Sequence, residues 1–314
     1  MKSQLIFNVN KAGVYTTFQD MGRYGYQRFG VPVSGAMDTF AFQVANILVG
    51  NQRNEGCLEV TLIGPELEVK CPVTVAITGA NLQPQVNGEI IPMWQSIHLQ
   101  PGDILHFGRH QSGVRAYIAI GGAFDCPLML GSKSTDIKSG FGKLIEKEDT
   151  IYGYPAQKKK RFGLSGQSIP IYDKSIDVAV IEGPHQENFT QKARESFFNS
   201  FFTVDTNSNR MGYRLKAENG SIETIGDVWS DAIPFGSIQI PPNGQPIILM
   251  ADRQTTGGYP RIGTVVSSDL AKIAQLPPQG KICFHPISIE EAQDRAVEME
   301  LFLWCLEKFR QDLN

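Results

Sequence analysis

PIILMADRQTTGGYPRIGTV (residues 246–265) joins two apolar runs through a polar segment and a pair of glycines. The run at 246–250 is typical of a buried strand, and Gly257 and Gly258 mark the turn that follows it. Residues 252–256 between them are all polar. A turn alone needs fewer hydrogen-bonding side chains, so the stretch predicts a ligand site where a strand leaves the core.

The same alternation of short apolar runs and turns continues along most of the chain. Strand-like runs occupy residues 5–9, 58–62, 73–77 and 114–120, and Asn87-Gly88 separates two more as a two-residue hairpin turn. The 31 glycines and 18 prolines supply the many turns that such a chain needs. This pattern predicts a mainly β fold with a few helices, built as barrels or sandwiches.

Three segments predict helices. Asp38 precedes residues 39–49, whose apolar side chains fall near one face, and Gly50 follows as the stop signal. A second helix is predicted over residues 186–198. The third begins at Ser288, which forms a capping box with Glu291, and carries an apolar stripe. The stripe is expected to pack on the core of this chain, with a partner helix as the alternative.

A break between two domains is predicted in residues 152–167, which combine glycines and a proline with a basic run at 158–161. The expected domains are residues 1–160, with one early helix, and residues 161–314, with the C-terminal helix. Ser34-x-x-Met37 and Ser208-x-x-Met211 have the same spacing, which hints at an internal duplication.

Composition excludes several classes of protein. A net charge of -3 argues against a general nucleic-acid binder, and no apolar run is long enough for a membrane span or a signal peptide. Five cysteines without a CxxC pair favour free thiols in a reducing, cytoplasmic compartment. His106 and His110 are four residues apart, but Phe107 follows His106 where a zinc motif needs glutamate, so no metal site is expected.

Four glycine-rich stretches concentrate arginine, amide, hydroxyl and carboxylate side chains, at residues 16–23, 30–38, 208–212 and 251–265, the last preceded by residues 238–242. Arginine suits carboxylates or phosphates, and Gln or Asn suits an amide or ureido group. Asp20, Asp38 and Asp252 are candidate bases. The alternatives are structural: Asp38 as a helix cap, Asp20 paired with Arg23, and the two glycines as a tight turn.

TTFQDMGRYGYQRFGVPVSGAMDTFAFQVANILVGN (16–51), SNRMGYRL (208–215) and IQIPPNGQPIILMADRQTTGGYPRIGTVVSSDL (238–270) resemble the family of the C subunit of bacterial 5-oxoprolinase. This family is also known as the allophanate hydrolase subunit 2 or KipA-like biotin-dependent carboxyltransferase family. The resemblance extends over about residues 5–290. It departs at residues 141–143 and 146–149, where the more usual glycine, arginine and aspartate pattern is replaced.

The resemblance implies two tandem cyclophilin-like β-barrel domains. It implies one component of a bacterial ATP-dependent 5-oxoprolinase, which converts 5-oxo-L-proline, ATP and water to L-glutamate, ADP and phosphate. The KipI-like B subunit and the A subunit of that enzyme would be the partners, and ATP contacts would be shared with them. The alternatives are a biotin-linked carboxyltransferase acting on urea or another amide, and a non-enzymatic KipA-like regulator that binds a kinase inhibitor.

The family's motif positions give the candidate site. Asp38, Asp252 and Gln254 are the candidate catalytic residues. Arg253 or Arg210 is expected to bind a substrate carboxylate, and Arg253 is added to the motif positions for this reason. We expect residues 252–259 to line a cleft between the barrels, facing residues 19–23 and 34–38, that holds a small cyclic amide. The candidate substrate-binding residues are Gln19, Asp20, Arg23, Ser34, Met37, Asn209, Arg210, Gln239, Arg253, Thr255, Gly257, Gly258 and Tyr259.

Overall fold

The computed structural model describes residues 2–218 and 220–313. The chain forms two compact units. The first unit comprises Met1–Arg23, Asp38–Tyr172 and Leu301–Asn314, and the second comprises Tyr24–Met37 and Asp173–Glu300. Both are rich in strands with few helices, so the mainly β fold class is confirmed.

The first unit contains two antiparallel sheets. Their strands are β1 (Gln4–Lys11), β2 (Tyr15–Gln19), β3 (Cys57–Thr61), β4 (Glu66–Val69), β5 (Val73–Asn81), β6 (Pro84–Val86), β7 (Glu89–Ile90), β8 (Ser96–Leu99), β9 (Ile104–Phe107), β10 (Ser112–Ile120), β11 (Gly122–Phe124) and β12 (Thr150–Pro155). Seven strands pair in the order β11-β12-β1-β4-β9-β6-β7, and five in the order β2-β3-β10-β5-β8. Apolar residues from both sheets form one core.

The hairpin predicted at Asn87-Gly88 is present. Its two strands are β6 and β7, and the turn residues have φ of 54° and 89°. Both values lie in the left-handed region that a two-residue turn of type I′ requires. The turn chemistry therefore predicted this register correctly.

Helix α1 (Thr39–Val49) has the bounds that the sequence predicted. The Asp38 side chain accepts a hydrogen bond from the Ala41 backbone N–H at 2.9 Å, which satisfies one of the free donors of the first turn. Gly50 ends the helix with φ of 82°, a conformation that is easy only for glycine.

The second unit contains nine strands. They are β13 (Ser175–Glu182), β14 (Phe202–Val204), β15 (Gly212–Ala217), β16 (Asp231–Ala232), β17 (Ser237–Gln239), β18 (Ile247–Leu249), β19 (Thr256–Gly257), β20 (Arg261–Val265) and β21 (Lys281–Pro286). Seven of them form a closed barrel in the order β13-β20-β17-β18-β15-β14-β21, which the parallel pair β13 and β21 closes. A separate two-stranded sheet pairs β16 with β19.

The predicted helix at 186–198 was wrong at its start. Residues Gln186–Asn188 form one 3₁₀ turn, and Phe189 then adopts an extended conformation. Helix α2 covers only Gln191–Phe198, because the Thr190 side chain caps the Ala193 N–H at 3.0 Å. A further helix, α3 (Leu270–Gln275), follows β20.

The C-terminal helix α4 spans Ile289–Asp312. Ser288 accepts a hydrogen bond from the Glu291 N–H at 3.1 Å, as the capping box predicts. The Glu291 carboxylate, however, binds Arg295 one turn later. Within the predicted stripe Leu303 is buried. The other members, Ala292, Ala296, Met299 and Leu306, are half-buried.

The predicted break between domains at residues 152–167 is partly structured. Its first residues belong to β12, which ends at Pro155. Farther along, the Phe162 carbonyl accepts a hydrogen bond from the Ser96 N–H at 2.8 Å. The division into domains at residue 160 stays a prediction, because compact units of one chain need not fold separately.

Across residues 2–218 and 220–313, the structure contains no helix with the length and apolar character needed to cross a membrane.

Candidate functional site

Arg210 and Asp252 form a buried, two-bond ion pair in the second unit. Arg210 Nε donates to Asp252 Oδ2 at 2.8 Å, and Nη2 donates to Oδ1 at 2.9 Å. Nη2 also donates to the Gly35 carbonyl at 2.7 Å. The Asp252 N–H donates to the Arg210 carbonyl. Both carboxylate oxygens are therefore engaged, which favours a positioning role for Asp252 over that of a base.

A cavity of about 290 Å³ is lined in part by the residues that follow Asp252 in the chain. Its lining includes Gln27, Val33, Ile233, Arg253, Gln254 and Thr255. Three of these belong to the candidate site named from the sequence. The cavity lies within the second unit, where the loop after β18 meets residues 27–33.

Arg253 is the charged group of this cavity. Its Nε donates to the Ile233 carbonyl at 2.9 Å, and the guanidinium carbon lies 5.4 Å from the centre of the Phe235 ring. Among the described residues no carboxylate pairs with it. Burial lowers the pKa of Arg253 below its usual value. A partly buried guanidinium without a counter-ion attracts an anion.

The residues after Arg253 are more exposed. Gln254 is exposed and Thr255 is half-buried. The Thr255 carbonyl accepts a hydrogen bond from the Ile233 N–H at 3.1 Å, which fixes the loop while leaving its side chains available. Tyr259 is 45% exposed.

Two glycines keep this loop close to its neighbours. A Cβ on Gly257 would lie 2.6 Å from Ile233 Cδ1 and 2.9 Å from Gln239 Nε2. Gln239 is buried and donates to the Tyr259 carbonyl at 3.3 Å. A Cβ on Gly258 would lie 3.3 Å from Ser230 Oγ. Gly257 is thus the position where a side chain would displace the packing beneath the loop.

Ser34 has a strained backbone, with φ of 58°. Its N–H donates to the Ala251 carbonyl at 3.1 Å, which brings this predicted site residue to the loop at 251–255. Its side chain is buried, and Oγ has no hydrogen-bond partner among the residues described. Strain together with an unsatisfied hydroxyl is more typical of a functional position than of a stabilising one.

Two other predicted residues of the second unit have different surroundings. Met37 is fully buried and belongs to the apolar core of the barrel. Asn209 is exposed, and its Oδ1 accepts a hydrogen bond from the Met211 N–H at 2.9 Å. Met37 therefore has the contacts of a core residue, and Asn209 has those of a turn residue.

In the first unit Asp20 organises a loop. Its Oδ1 accepts hydrogen bonds from the Gly22 N–H at 2.8 Å and the Ser132 hydroxyl at 2.7 Å, and Oδ2 accepts one from the Lys133 N–H at 2.7 Å. Ser134 Oγ also donates to it. Asp20 thus holds the 132–134 loop, and Arg23, its alternative partner from the sequence, donates to the same loop.

Arg23 and Gln19 contact the same region. Arg23 Nη2 donates to the Ser134 carbonyl, and its guanidinium lies over the Phe141 ring at 4.3 Å. Phe141 is among the residues that depart from the family pattern. Gln19 donates to the Thr135 carbonyl at 3.0 Å, and its Oε1 is buried without a hydrogen-bond partner among the described residues.

Asp38 caps helix α1, as the structural alternative for this residue predicted. It also belongs to a buried network of hydrogen bonds. Tyr172 donates to Asp38 Oδ2 at 3.1 Å. The Asp38 N–H donates to the Tyr117 hydroxyl, which in turn donates to Glu59 Oε2, each at 2.8 Å. Burial, with nearby carboxylates, raises the pKa of both tyrosines well above 10.

The sequence missed some members of these clusters. Gln27 lies inside the conspicuous stretch 16–51, but its side chain carries no motif of its own. Tyr117 and Tyr172 lie 79 and 134 residues after Asp38 along the chain, so no local spacing could reveal them. The predicted cleft shared by residues 19–23 and 252–259 stays a prediction.

Residues 29–286 match the family described as "Carboxyltransferase domain, subdomain A and B". This match covers most of the chain. The chain belongs to this carboxyltransferase family.

The chain is similar to curated proteins of different names. The chain is 35% identical to the C subunit of 5-oxoprolinase from Escherichia coli (strain K12) over 309 residues, which cover 96% of this chain and 99% of that protein. It is 31% identical to urea amidolyase of Saccharomyces cerevisiae over 91% of this chain, but over only 17% of that protein.

A solved structure agrees with this relationship. The structure of K. lactis urea amidolyase superposes on 98% of this chain with a TM-score of 0.89 at 28% identity, and the match covers 20% of that enzyme. Both the fold and the family resemblance read from the sequence are thereby confirmed.

Proposed function

We propose that this chain is the C subunit of an ATP-dependent 5-oxoprolinase. The observation that carries the proposal is Arg253, a partly buried cation with no carboxylate partner among the described residues, beside an exposed amide at Gln254. 5-Oxoproline is a small anion whose other end is a lactam. The similarity to the 5-oxoprolinase protein of E. coli, along nearly the whole length of both chains, supports the same reaction.

The chemistry of the cavity suits each end of that substrate. Arg253 supplies N–H donors for the carboxylate, and the buried surroundings strengthen the attraction. Gln254 offers one donor and one acceptor, which complement the lactam carbonyl and N–H. A volume of about 290 Å³ suits a molecule of this size. Arg210 and Asp252 are positioning residues in this proposal, since they fix the loop that carries Arg253.

The reaction itself needs activation, because a lactam is stabilised by resonance. Transfer of the γ-phosphoryl group of ATP to the lactam oxygen leaves ADP and makes the ring carbon open to attack by water. Release of phosphate and opening of the C–N bond then give glutamate. The 290 Å³ cavity has Arg253 as its cation, so we propose that the A and B subunits share the binding of the ATP phosphates.

Reconstitution tests this proposal. Glutamate release from 5-oxoproline and ATP is measured with the purified chain alone and after mixing with the A and B subunits of the same organism. We expect turnover only in the full mixture and none when this chain is left out. Turnover by the A and B subunits without this chain would overturn the proposal. So would a lack of turnover in the full mixture while the three proteins still bind one another.

A second candidate is a carboxyltransferase component that acts on urea or a related amide. The relationship to urea amidolyase favours it, because the similarity covers nearly all of this chain. Carboxylated biotin would have to come from another protein. Urea carries no carboxylate, so this candidate leaves Arg253 without an anionic partner in the substrate. Biotin-dependent carboxylation of urea in the mixture, with no release of glutamate from 5-oxoproline, would select this candidate.

A further inference from the structure

Trp229 is the most exposed large apolar side chain among the described residues, at 95%. Its indole takes part in no hydrogen bond, ring contact or cation–π contact within the described part of the chain. Ile225, four residues earlier, is 53% exposed. Tryptophan is highly buried on average in folded proteins, and it is a frequent anchor of protein–protein interfaces. An indole with this exposure is therefore typical of a surface that another protein covers.

The exposed segment that carries Trp229, residues 223–231 (ETIGDVWSD), is fixed near both ends. Before it, Ile222 is buried in the core of the barrel. The Ile225 N–H donates to the Asn188 carbonyl at 2.8 Å, and Asn188 Nδ2 donates to the Ile225 carbonyl at 2.6 Å. At its other end the segment enters β16, which pairs with β19. The backbone thus holds the indole in solvent, and its exposure is not that of a frayed chain end.

The exposed segment adjoins the candidate cavity of the second unit. A Cβ on Gly258 would lie 3.3 Å from Ser230 Oγ and 3.6 Å from the Val228 carbonyl oxygen, so the segment lies against the glycine loop. Tyr259, the next residue of that loop, is 45% exposed. Ala232, directly after the segment, lines the 290 Å³ cavity. A protein bound at the segment would therefore lie beside a wall of the proposed substrate site.

The charge of the exposed segment limits what can bind there. Glu223, Asp227 and Asp231 are exposed, and the segment contains no Lys, Arg or His. None of the three carboxylates forms an ion pair among the described residues. A complementary surface offers cations around an apolar pocket. Two copies of this chain that met through the same surface would place carboxylates against carboxylates, which argues against a symmetric dimer.

We propose that the exposed segment docks a partner subunit that offers an apolar pocket for the Trp229 indole and Lys or Arg side chains at its rim. The inference rests on the proposed function for the existence of such a subunit, and it names the surface that the subunit covers. Docking here places the partner beside the substrate cavity, where shared binding of the ATP phosphates requires it.

Calorimetry tests the docking without any turnover. The purified chain is titrated with the A subunit and with the B subunit, in the absence of ATP and 5-oxoproline. We expect Trp229→Ala to weaken the binding of one subunit at least about thirtyfold, because a buried tryptophan anchor carries a large share of the binding energy. Trp304→Ala is the matched control, since Trp304 is 51% exposed in the first unit, and it should bind normally. Thermal unfolding shows whether each variant is folded.

The carboxylates give a separate test of the proposed rim. Asp227→Asn should weaken binding a few-fold at low salt and reduce the dependence of Kd on ionic strength. Asp294→Asn makes the same chemical change at an exposed position of α4 in the second unit and should leave both quantities unchanged. An unchanged salt dependence in Asp227→Asn would overturn the assignment of a cationic rim.

Fluorine NMR of the wild type reports on the surface directly. The chain is labelled with fluorotryptophan, and its three tryptophan signals are assigned by single Trp→Phe variants. The Trp229 signal should shift when the partner binds, and the Trp304 signal should not. Three results would overturn the proposal: a bound partner without a shift of Trp229, a shift on concentrating the chain alone, which indicates a second copy, or a shift with 5-oxoproline alone, which indicates a lid.

The docking surface and the proposed reaction can fail separately. Normal turnover in the full mixture, together with normal binding by Trp229→Ala, would overturn the docking surface alone. Binding that depends on Trp229, with no turnover in the full mixture, would overturn the reaction and leave the docking surface in place.

Discussion

The Arg210 guanidinium holds both oxygens of Asp252 and, through the same Nη2, the carbonyl of Gly35. One buried side chain thus links the loop before Arg253 to the loop at 34–36. Removing Asp252 alone would leave the buried guanidinium without its carboxylate. We expect Asp252→Ala to lower the free energy of unfolding by about 3–5 kcal/mol, measured by urea denaturation.

The double variant Arg210→Met/Asp252→Leu is the control for this prediction. It removes both charges and keeps apolar volume in the site, so it should lose much less stability than Asp252→Ala. A double variant as unstable as the sum of the two single variants would mean that the pair is not energetically coupled.

Ser34→Gly should make the protein more stable and less able to bind its substrate. A non-glycine residue in the left-handed region carries about 1–2 kcal/mol of strain, and the buried Ser34 hydroxyl adds an unsatisfied group. Glycine reduces this gain by about 0.5–1 kcal/mol, because it loses more conformational freedom than serine when the chain folds. We therefore expect a net gain of about 1 kcal/mol, measured by thermal unfolding, with a loss of turnover in the reconstituted complex.

Gln279→Gly separates backbone strain from function. Gln279 also has a left-handed φ, of 67°, but lies exposed in the turn before β21. This variant should gain stability and keep full activity. Equal loss of activity in both glycine variants would assign the Ser34 effect to general flexibility.

Tyr117 gives the protein a dependence on alkaline pH. Burial raises its pKa well above 10, so the folded chain keeps the proton when the unfolded chain loses it. The stabilisation is complete below pH 10 and is lost as the pH rises above that value, by about 1.4 kcal/mol per pH unit. In Tyr117→Phe this titration is absent. The stability gap between wild type and variant should therefore narrow above pH 10.

Tyr152→Phe is the matched control, because it removes a tyrosine hydroxyl from a side chain that is 45% exposed. At pH 8 it should cost less stability than Tyr117→Phe. Urea denaturation between pH 8 and pH 11 is measured for the wild type and both variants. A constant gap for Tyr117→Phe over the same range would contradict a buried, protonated Tyr117.

The sequence anticipated the local parts of this fold. Asp38 and Gly50 bound α1 because capping depends on residues only a few positions apart. The same kind of signal misled at residues 186–198. There the apolar residues Phe189, Ala193 and Phe197, each four positions apart, predicted a helix that included Phe189, although its backbone is extended. The start of α2 is set by the capping side chain of Thr190. The spacing of apolar residues carries no information about such a cap.

The sequence predicted which residues lie at the candidate site better than it predicted the role of each residue. Arg253, Gln254 and Thr255 do line one cavity. Asp252 and Arg210 were named as a base and a ligand group, but each satisfies the other. Which charges neutralise one another depends on contacts 42 residues apart.

Substitutions at Arg253 and Gln254 should separate substrate binding from stability. Arg253→Gln removes the cation that we assign to the substrate carboxylate, so the KM for 5-oxoproline should rise at least about tenfold. Gln254→Ala should abolish turnover while the melting temperature stays near that of the wild type, because Gln254 is exposed. Both are measured in the reconstituted complex, together with thermal unfolding of the isolated chain.

Arg214→Gln is the matched control, since Arg214 is exposed on β15 of the same unit and does not line the cavity. It removes an equal charge and should leave KM and turnover unchanged. If Arg253→Gln lowers turnover without changing KM, the guanidinium acts after binding and is not the carboxylate partner. A large fall in melting temperature for Gln254→Ala would instead assign this residue to the structure of the turn.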